Sequence, residues 1–152
     1  MNNYKTSAAG IKSIQQEEGC VLHAYKDPVT GNLPITIGYG NTFYEDGSKI
    51  KLGDKIELAR AKSLMLNLLP KFEKIVNTKV TVPLTQNQFD VLVSYTWNTG
   101  GSSTLFNLIN NEASEHDIRK WFTTHYITAD GHPSDGLIAR SCLLYTSDAA
   151  DE

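Results

Sequence analysis

The spacing of apolar residues along this chain predicts that most of it is helical. Apolar residues recur at helical spacing in the segment 8–14, and Gly19, which can take the left-handed conformation that ends a helix, follows Glu18. A longer apolar stripe over 56–76 contains Pro70, where we predict a kink or a junction of two helices.

A second helical pattern begins near the middle of the chain. Thr85 and Gln88 have the spacing of a capping box, and apolar residues continue at helical spacing until Gly100. We predict that this segment is the central buried helix. Downstream we predict two short helices and a loop, at 102–111, 114–124 and 127–135.

A different pattern separates the first two helices. Residues 28–34 form a turn by composition, and residues 35–39 alternate as in a strand. If the turn is centred directly after Gly31, Asp27 lies opposite Thr36. Facing residues of an antiparallel pair have Cβ atoms roughly 4.5–5.5 Å apart. A carboxylate and a hydroxyl at that separation hold the same water molecule.

The first helix and this hairpin together carry candidate chemistry. Glu18 is predicted to be the last residue of its helix, where the negative end of the helix dipole disfavours ionisation of a carboxylate. A carboxyl group that acts as a proton donor must hold its proton until the reaction, so a bias against ionisation suits this role. Glu18, Asp27 and Thr36 therefore supply two carboxylates and a hydroxyl, which is the minimal equipment for hydrolysing a glycosidic bond.

Three stretches of the chain carry motifs. The first contains EG from residue 18, AYKD from residue 24 and TIGYG from residue 36. The second reads LTQNQFD from residue 84, followed by LVS, Asn98 and Gly100, and the third has GL at residue 136 followed by Arg140. From about Thr6 to Arg140, the chain resembles the phage-type lysozymes of glycoside hydrolase family 24.

The resemblance implies a fold and a set of functional residues. The expected fold class is α+β and lysozyme-like: mostly helical, with a small N-terminal β-hairpin lobe and a helical C-terminal lobe around a cleft. Glu18, Asp27 and Thr36 correspond to the catalytic residues of the family, and the resemblance suggests that Arg140 pairs with Glu18 or steadies it. The candidate substrate-binding residues are Tyr39, Thr42, Trp97 and Asn98. Where many relatives have a His after Gly-Tyr-Gly, this chain has Asn41.

The domain organisation expected from these patterns is a single catalytic domain over 1–141. Its lobes are predicted at about 12–55 and 80–141, joined by the long helix. Residues 142–152 resemble a translated sequencing adapter, so we expect a non-native tail there that replaces a further helix. The alternative is a genuine short C-terminal tail.

Composition narrows the possible functions. The chain has 152 residues, of which 40% are hydrophobic and 20% charged, as expected for one globular domain. Three acidic residues of the suspected tail account for the whole net charge of −3. The remainder is neither a polyanion nor a basic nucleic-acid binder. Of the two cysteines, Cys142 lies in the suspected tail, which leaves Cys20 alone and excludes an internal disulfide and a metal cluster. We expect no metal and no cofactor.

The start of the chain has no apolar run long enough for a signal peptide or a membrane anchor. We therefore expect accumulation in the host cytoplasm without membrane insertion. The resemblance implies release by a holin and action on the peptidoglycan glycan strand of the cell wall. Nothing in the sequence asks for more than a monomer.

The predicted reaction is hydrolysis of the β-1,4 bond between N-acetylmuramic acid and N-acetylglucosamine, with inversion at the anomeric carbon. Three alternatives remain open from the sequence: a lytic transglycosylase, a non-catalytic peptidoglycan-binding module and an inactive truncated fragment.

Overall fold

The structure, a computed structural model, describes residues 2–26 and 34–125, with the side chains of 123–125 left out. Asp27, Arg140, the predicted loop at 127–135 and the suspected tail lie outside the described residues. The described residues form five helices and two strands, in the order α1 (Ala8–Glu18), β1 (Val21–Lys26), β2 (Ile35–Gly38), α2 (Leu58–Lys79), α3 (Gln86–Thr99), α4 (Ser103–Asn110) and α5 (Glu115–His125). The predicted α+β class is confirmed.

The chain divides into two compact units. One, called here the hairpin unit, is Lys12–Pro70, and the other, the helical unit, consists of Met1–Ile11 and Lys71–Glu152. Among the described residues, no helix is long and apolar enough to cross a membrane.

Helix α1 ends as its sequence predicts, and Ser7 caps its start. The hydroxyl of Ser7 accepts a hydrogen bond from the backbone N–H of Gly10 at 3.1 Å, which caps the first turn. Glu18 is the last helical residue, and Gly19 follows with φ +67°. Its N–H donates to the carbonyl of Gln15 at 3.0 Å. The predicted position of Glu18 at the end of the helix is therefore confirmed.

The antiparallel hairpin of β1 and β2 is present, but its predicted register is wrong. Thr36 pairs with Tyr25 and Ile35 with Lys26, so the partner of Thr36 lies two residues before Asp27. Register depends on the geometry of the turn, and composition located that turn only approximately. The shift is two residues at Tyr25 and Lys26, and a further irregularity lies between Val21 and Tyr25, where Val21 pairs with Gly38.

The second edge of β1 is also occupied. The N–H of Ala24 donates to the carbonyl of Asp54 at 2.9 Å, and the N–H of Ile56 donates to the carbonyl of Leu22 at 2.9 Å. These bonds satisfy backbone groups that an edge strand would otherwise expose. Both elements that flank β1 therefore belong to the hairpin unit.

Helix α2 runs through Pro70 as one element of 22 residues, which excludes the predicted alternative of two helices that meet there. The two units divide at this proline. Before it, Ala61, Leu64 and Met65 are fully buried in the hairpin unit, and after it Val76 is fully buried in the helical unit.

Helix α3 is the buried helix that its pattern predicts. The hydroxyl of Thr85 accepts from the N–H of Gln88, and the Gln88 side chain accepts from the N–H of Thr85, so the capping box is complete. Gly100, with φ +89°, ends the helix. Its buried residues are Phe89, Asp90, Val91, Leu92, Val93, Tyr95, Thr96 and Trp97.

The segment before α1 is bound to α2 and α3 within the helical unit. Thr6 donates its backbone N–H and its hydroxyl to Oε2 of Glu73, at 2.5 and 2.7 Å. Ser7 donates its N–H to Oδ1 of Asp90 at 3.0 Å and its hydroxyl to Oδ2. The residue that caps α1 is thus itself held by a buried carboxylate.

Candidate active site

The Glu18 side chain is placed by the end of α1 and by a turn that follows β2. This turn, called here the glycine turn, consists of Gly38, which is the last residue of β2, and of Tyr39 and Gly40. Gly40 has φ +80°, and a Cβ built on it would lie 2.6 Å from Oε2 of Glu18. The carboxyl group therefore occupies the space beside the Gly40 backbone that a side chain would need.

Two contacts fix the glycine turn. Ile37 and Asn41 exchange backbone hydrogen bonds across it, each at 2.9 Å. Tyr39 is 6% exposed, and burial, followed by interaction of its hydroxyl with the thiol of Cys20, raises its pKa. Cys20 lies two residues after Glu18. The turn is consequently attached to the segment that directly follows the catalytic candidate.

Thr36 lies on β2 and is half-buried. Its hydroxyl donates to the carbonyl of Pro34 at 3.3 Å. Glu18 and Thr36 both belong to the hairpin unit. Asp27, the third candidate, lies outside the described residues, so its predicted role stays a prediction.

Two of the candidate substrate-binding residues also belong to the hairpin unit. Tyr39 is buried as described above, and Thr42 is half-buried, with its carbonyl accepting from the N–H of Ile50 at 3.2 Å. Between them, Asn41 is 5% exposed, and its Oδ1 has no hydrogen-bond partner among the residues that the structure describes.

The other two candidates, Trp97 and Asn98, lie at the end of α3 in the helical unit. Trp97 is 8% exposed and its ring packs against Phe72, with the centroids 4.9 Å apart and the planes tilted by 55°. Asn98 is exposed. Substrate contact by either residue stays a prediction.

Sequence reasoning missed a polar cluster that holds the loop after the glycine turn. Arg60 of α2 donates two hydrogen bonds to the carboxylate of Glu45, at 2.7 and 2.8 Å, and Asn67 adds a third at 2.9 Å. These bonds lower the pKa of Glu45 to about 2. The separation of 15 residues between Glu45 and Arg60 exceeds any helical spacing, so the pairing had no local sequence signal.

In the same loop, the hydroxyl of Tyr44 donates to Oδ2 of Asp54 at 2.8 Å. Burial and this bond raise the pKa of Tyr44 to about 12. Within the described part of the chain, no group of three or more His, Cys, Asp or Glu side chains is placed to hold a metal ion.

Comparison with known proteins identifies the family. A family model described as phage lysozyme matches residues 15–142. The endolysin of Salmonella phage P22 is 35% identical over 122 residues, which cover 76% of this chain and 82% of that protein. The chain belongs to the phage lysozyme family. The predicted glycoside hydrolase of lysozyme type is thereby confirmed.

Solved structures of the same fold agree with this assignment. An endolysin from Escherichia coli O157:H7 phage FAHEc1 has a TM-score of 0.77 and 30% identity, covering 97% of this chain and 96% of that one. The muramidase domain of SpmX from Asticaccaulis excentricus has a TM-score of 0.74 and 26% identity, covering 94% of this chain and 98% of that one.

Proposed function

We propose that this chain is an endolysin that hydrolyses the β-1,4 bond between N-acetylmuramic acid and N-acetylglucosamine in peptidoglycan. The observation that supports this proposal most directly is the setting of Glu18. Its carboxyl group lies at the C-terminal end of α1 and against the glycine turn, in a chain of the phage lysozyme family.

Glu18 is the general acid in this proposal. A carboxyl group at a helix C-terminus is next to the negative end of the dipole, which favours the protonated form that a proton donor requires. Glu18 transfers its proton to the glycosidic oxygen as the bond to the anomeric carbon breaks. The leaving sugar then departs as a neutral alcohol.

Asp27 and Thr36 supply the second half of the reaction. Asp27 accepts a proton from a water molecule that Thr36 also holds, and the oxygen of that water forms the new bond to the anomeric carbon. The hydroxyl of Thr36 helps to hold a water molecule beside the second carboxylate. That water, and not the carboxylate itself, then attacks the anomeric carbon. The expected outcome is therefore inversion of configuration.

Four residues bind the glycan strand in this proposal: Tyr39, Thr42, Trp97 and Asn98. Asn98 is exposed near the end of α3. The enzyme acts as a monomer, accumulates in the host cytoplasm and reaches the cell wall after a holin opens the inner membrane.

The test compares two neighbouring glutamates of α1. The complete chain and its Glu18→Gln and Glu17→Gln variants are incubated with purified peptidoglycan, and the soluble products are analysed by mass spectrometry. We expect Glu18→Gln to abolish release while Glu17→Gln, which changes the same group one residue earlier, retains it. Both variants should keep the circular-dichroism spectrum of the parent.

Three outcomes would contradict the proposal. Parental activity in Glu18→Gln would remove the acid assignment. Products with a 1,6-anhydro ring in place of a reducing end would indicate a lytic transglycosylase. Binding to peptidoglycan without release of any fragment would indicate a non-catalytic module or an inactive fragment.

The stereochemistry needs its own experiment. Proton NMR of the first product formed from a soluble glycan oligomer should show the α-anomer, which is inverted relative to the β-linked substrate. Thr36→Glu places a carboxylate where the water is proposed to sit and is expected to accumulate a covalent glycosyl adduct that intact-mass measurement detects. A first product of β configuration from the parent enzyme would contradict inversion.

A further inference from the structure

The space beside Gly40 has a specific occupant. A Cβ at this position would lie 2.6 Å from Oε2 and 3.2 Å from Cδ of Glu18. Real Cβ atoms essentially never approach other heavy atoms so closely. Two other glycines of the hairpin unit, Gly47 and Gly53, also have positive φ, at +87° and +98°, but a Cβ on either would meet nothing within 4 Å.

The glycine turn cannot easily move to accommodate a side chain at Gly40. Ile37 is 0% exposed and is bonded through its backbone to Asn41 in both directions. Tyr39 is buried and in contact with Cys20. Displacing the backbone of the turn would disturb these contacts together.

The Glu18 carboxyl group, by contrast, lies at the end of a side chain with three rotatable bonds. A methyl group on Gly40 would therefore displace the carboxyl group and leave the turn in place. We propose that Gly40 is a positioning residue for the general acid, because its missing side chain sets where the Glu18 carboxyl group sits. This inference rests on the proposed function of Glu18.

The consequence is a loss of catalysis without a matching loss of stability. Misplacing a reacting group by about 1 Å costs on the order of 100-fold in rate. We expect Gly40→Ala to lower kcat on the order of 100-fold with KM close to that of the parent. Both Gly40→Ala and Gly47→Ala place an alanine at positive φ, so their melting temperatures should fall by similar amounts.

The experiment therefore compares Gly40→Ala with Gly47→Ala in the complete chain. Values of kcat and KM are measured on peptidoglycan, and melting temperatures by circular dichroism. Carbon-13 NMR follows the titration of the Glu18 carboxyl group, which requires no turnover. We expect the Glu18 titration of Gly40→Ala to differ from that of the parent, whereas Gly47→Ala reproduces the parent titration and the parent kcat.

The outcomes separate this inference from the proposed function. An inactive parent would contradict the proposed function, while the NMR comparison would still test the position of the carboxyl group. Parental kcat and an unchanged Glu18 titration in Gly40→Ala would overturn the inference.

Should Gly40→Ala not fold, the same substitution is tested in a Glu18→Ala background, where the clashing group is absent. We expect the Glu18→Ala/Gly40→Ala variant to melt at the same temperature as Glu18→Ala/Gly47→Ala. A clearly lower melting temperature would show that something other than Glu18 excludes the side chain, and would overturn the inference.

Discussion

Replacing Asp90 by Asn tests how the helix that carries Glu18 is held at its other end. Asp90 is 9% exposed on α3 and accepts three hydrogen bonds. Two come from the N–H and the hydroxyl of Ser7, and the third comes from the side chain of Gln86 at 2.8 Å. Asn has the same size, but its amide NH₂ is a donor and its oxygen carries no full charge.

The expected loss of stability follows from the three hydrogen bonds that Asp90 accepts. Hydrogen bonds to a charged group contribute about 1.5–3 kcal/mol each, against about 1 kcal/mol for a neutral pair. In Asp90→Asn the amide oxygen keeps part of the contacts in weaker form, while the amide nitrogen faces a donor of Ser7. We therefore expect a loss of about 2–3 kcal/mol in the free energy of unfolding, which lowers Tm by roughly 5–10 °C for a chain of this size.

The assay is urea unfolding at pH 7 followed by circular dichroism, with two comparison variants. Asp117→Asn makes the same change at an exposed position and should alter stability by less than about 0.5 kcal/mol. Ser7→Ala removes the capping hydroxyl, which donates a hydrogen bond to Asp90. A double-mutant cycle between Ser7→Ala and Asp90→Asn should give a coupling energy of about 1–2 kcal/mol.

Two results would refute this reasoning. A loss below about 0.5 kcal/mol in Asp90→Asn would mean that the three bonds contribute nothing beyond what solvent provides. A coupling energy near zero would show that Ser7 is not the partner through which Asp90 acts.

Two further predictions concern stability. Because hydrogen bonds from Arg60 lower the pKa of Glu45 from its usual 4.5 to about 2, the stabilisation from this pair is present above pH 4.5 and is lost as pH falls towards 2. The side chains of Glu45 and Arg60 are 31% and 41% exposed, so solvent screening limits this stabilisation to roughly 1 kcal/mol. In urea titrations the stability difference between the parent and Glu45→Gln should shrink steadily as pH falls from 4.5 to about 2, and a difference independent of pH would contradict the pairing. Glu112 has φ +57° just after α4, where glycine is favoured, so Glu112→Gly should raise the free energy of unfolding by about 0.5–1 kcal/mol, and a loss on urea unfolding would contradict this.

The sequence by itself determined the ends of the helices and the family. Gly19 ends α1, the capping box of Thr85 and Gln88 starts α3, and Gly100 ends it, all as predicted. Each of these features depends on hydrogen bonds between residues at most four positions apart, so the local sequence contains all the participants. The three stretches of motifs likewise indicated the phage lysozyme family, which the family model confirms.

Only the tertiary structure decided which distant residues meet. The partner of Thr36, the contact between Gly40 and Glu18, and the burial of Asp90 against Ser7 were not predictable from spacing. Each contact depends on how the chain closes a turn or packs one element on another, and many closures are compatible with the same apolar pattern. Local hydrogen bonding therefore specifies where elements begin and end, whereas packing specifies which side chains share a site.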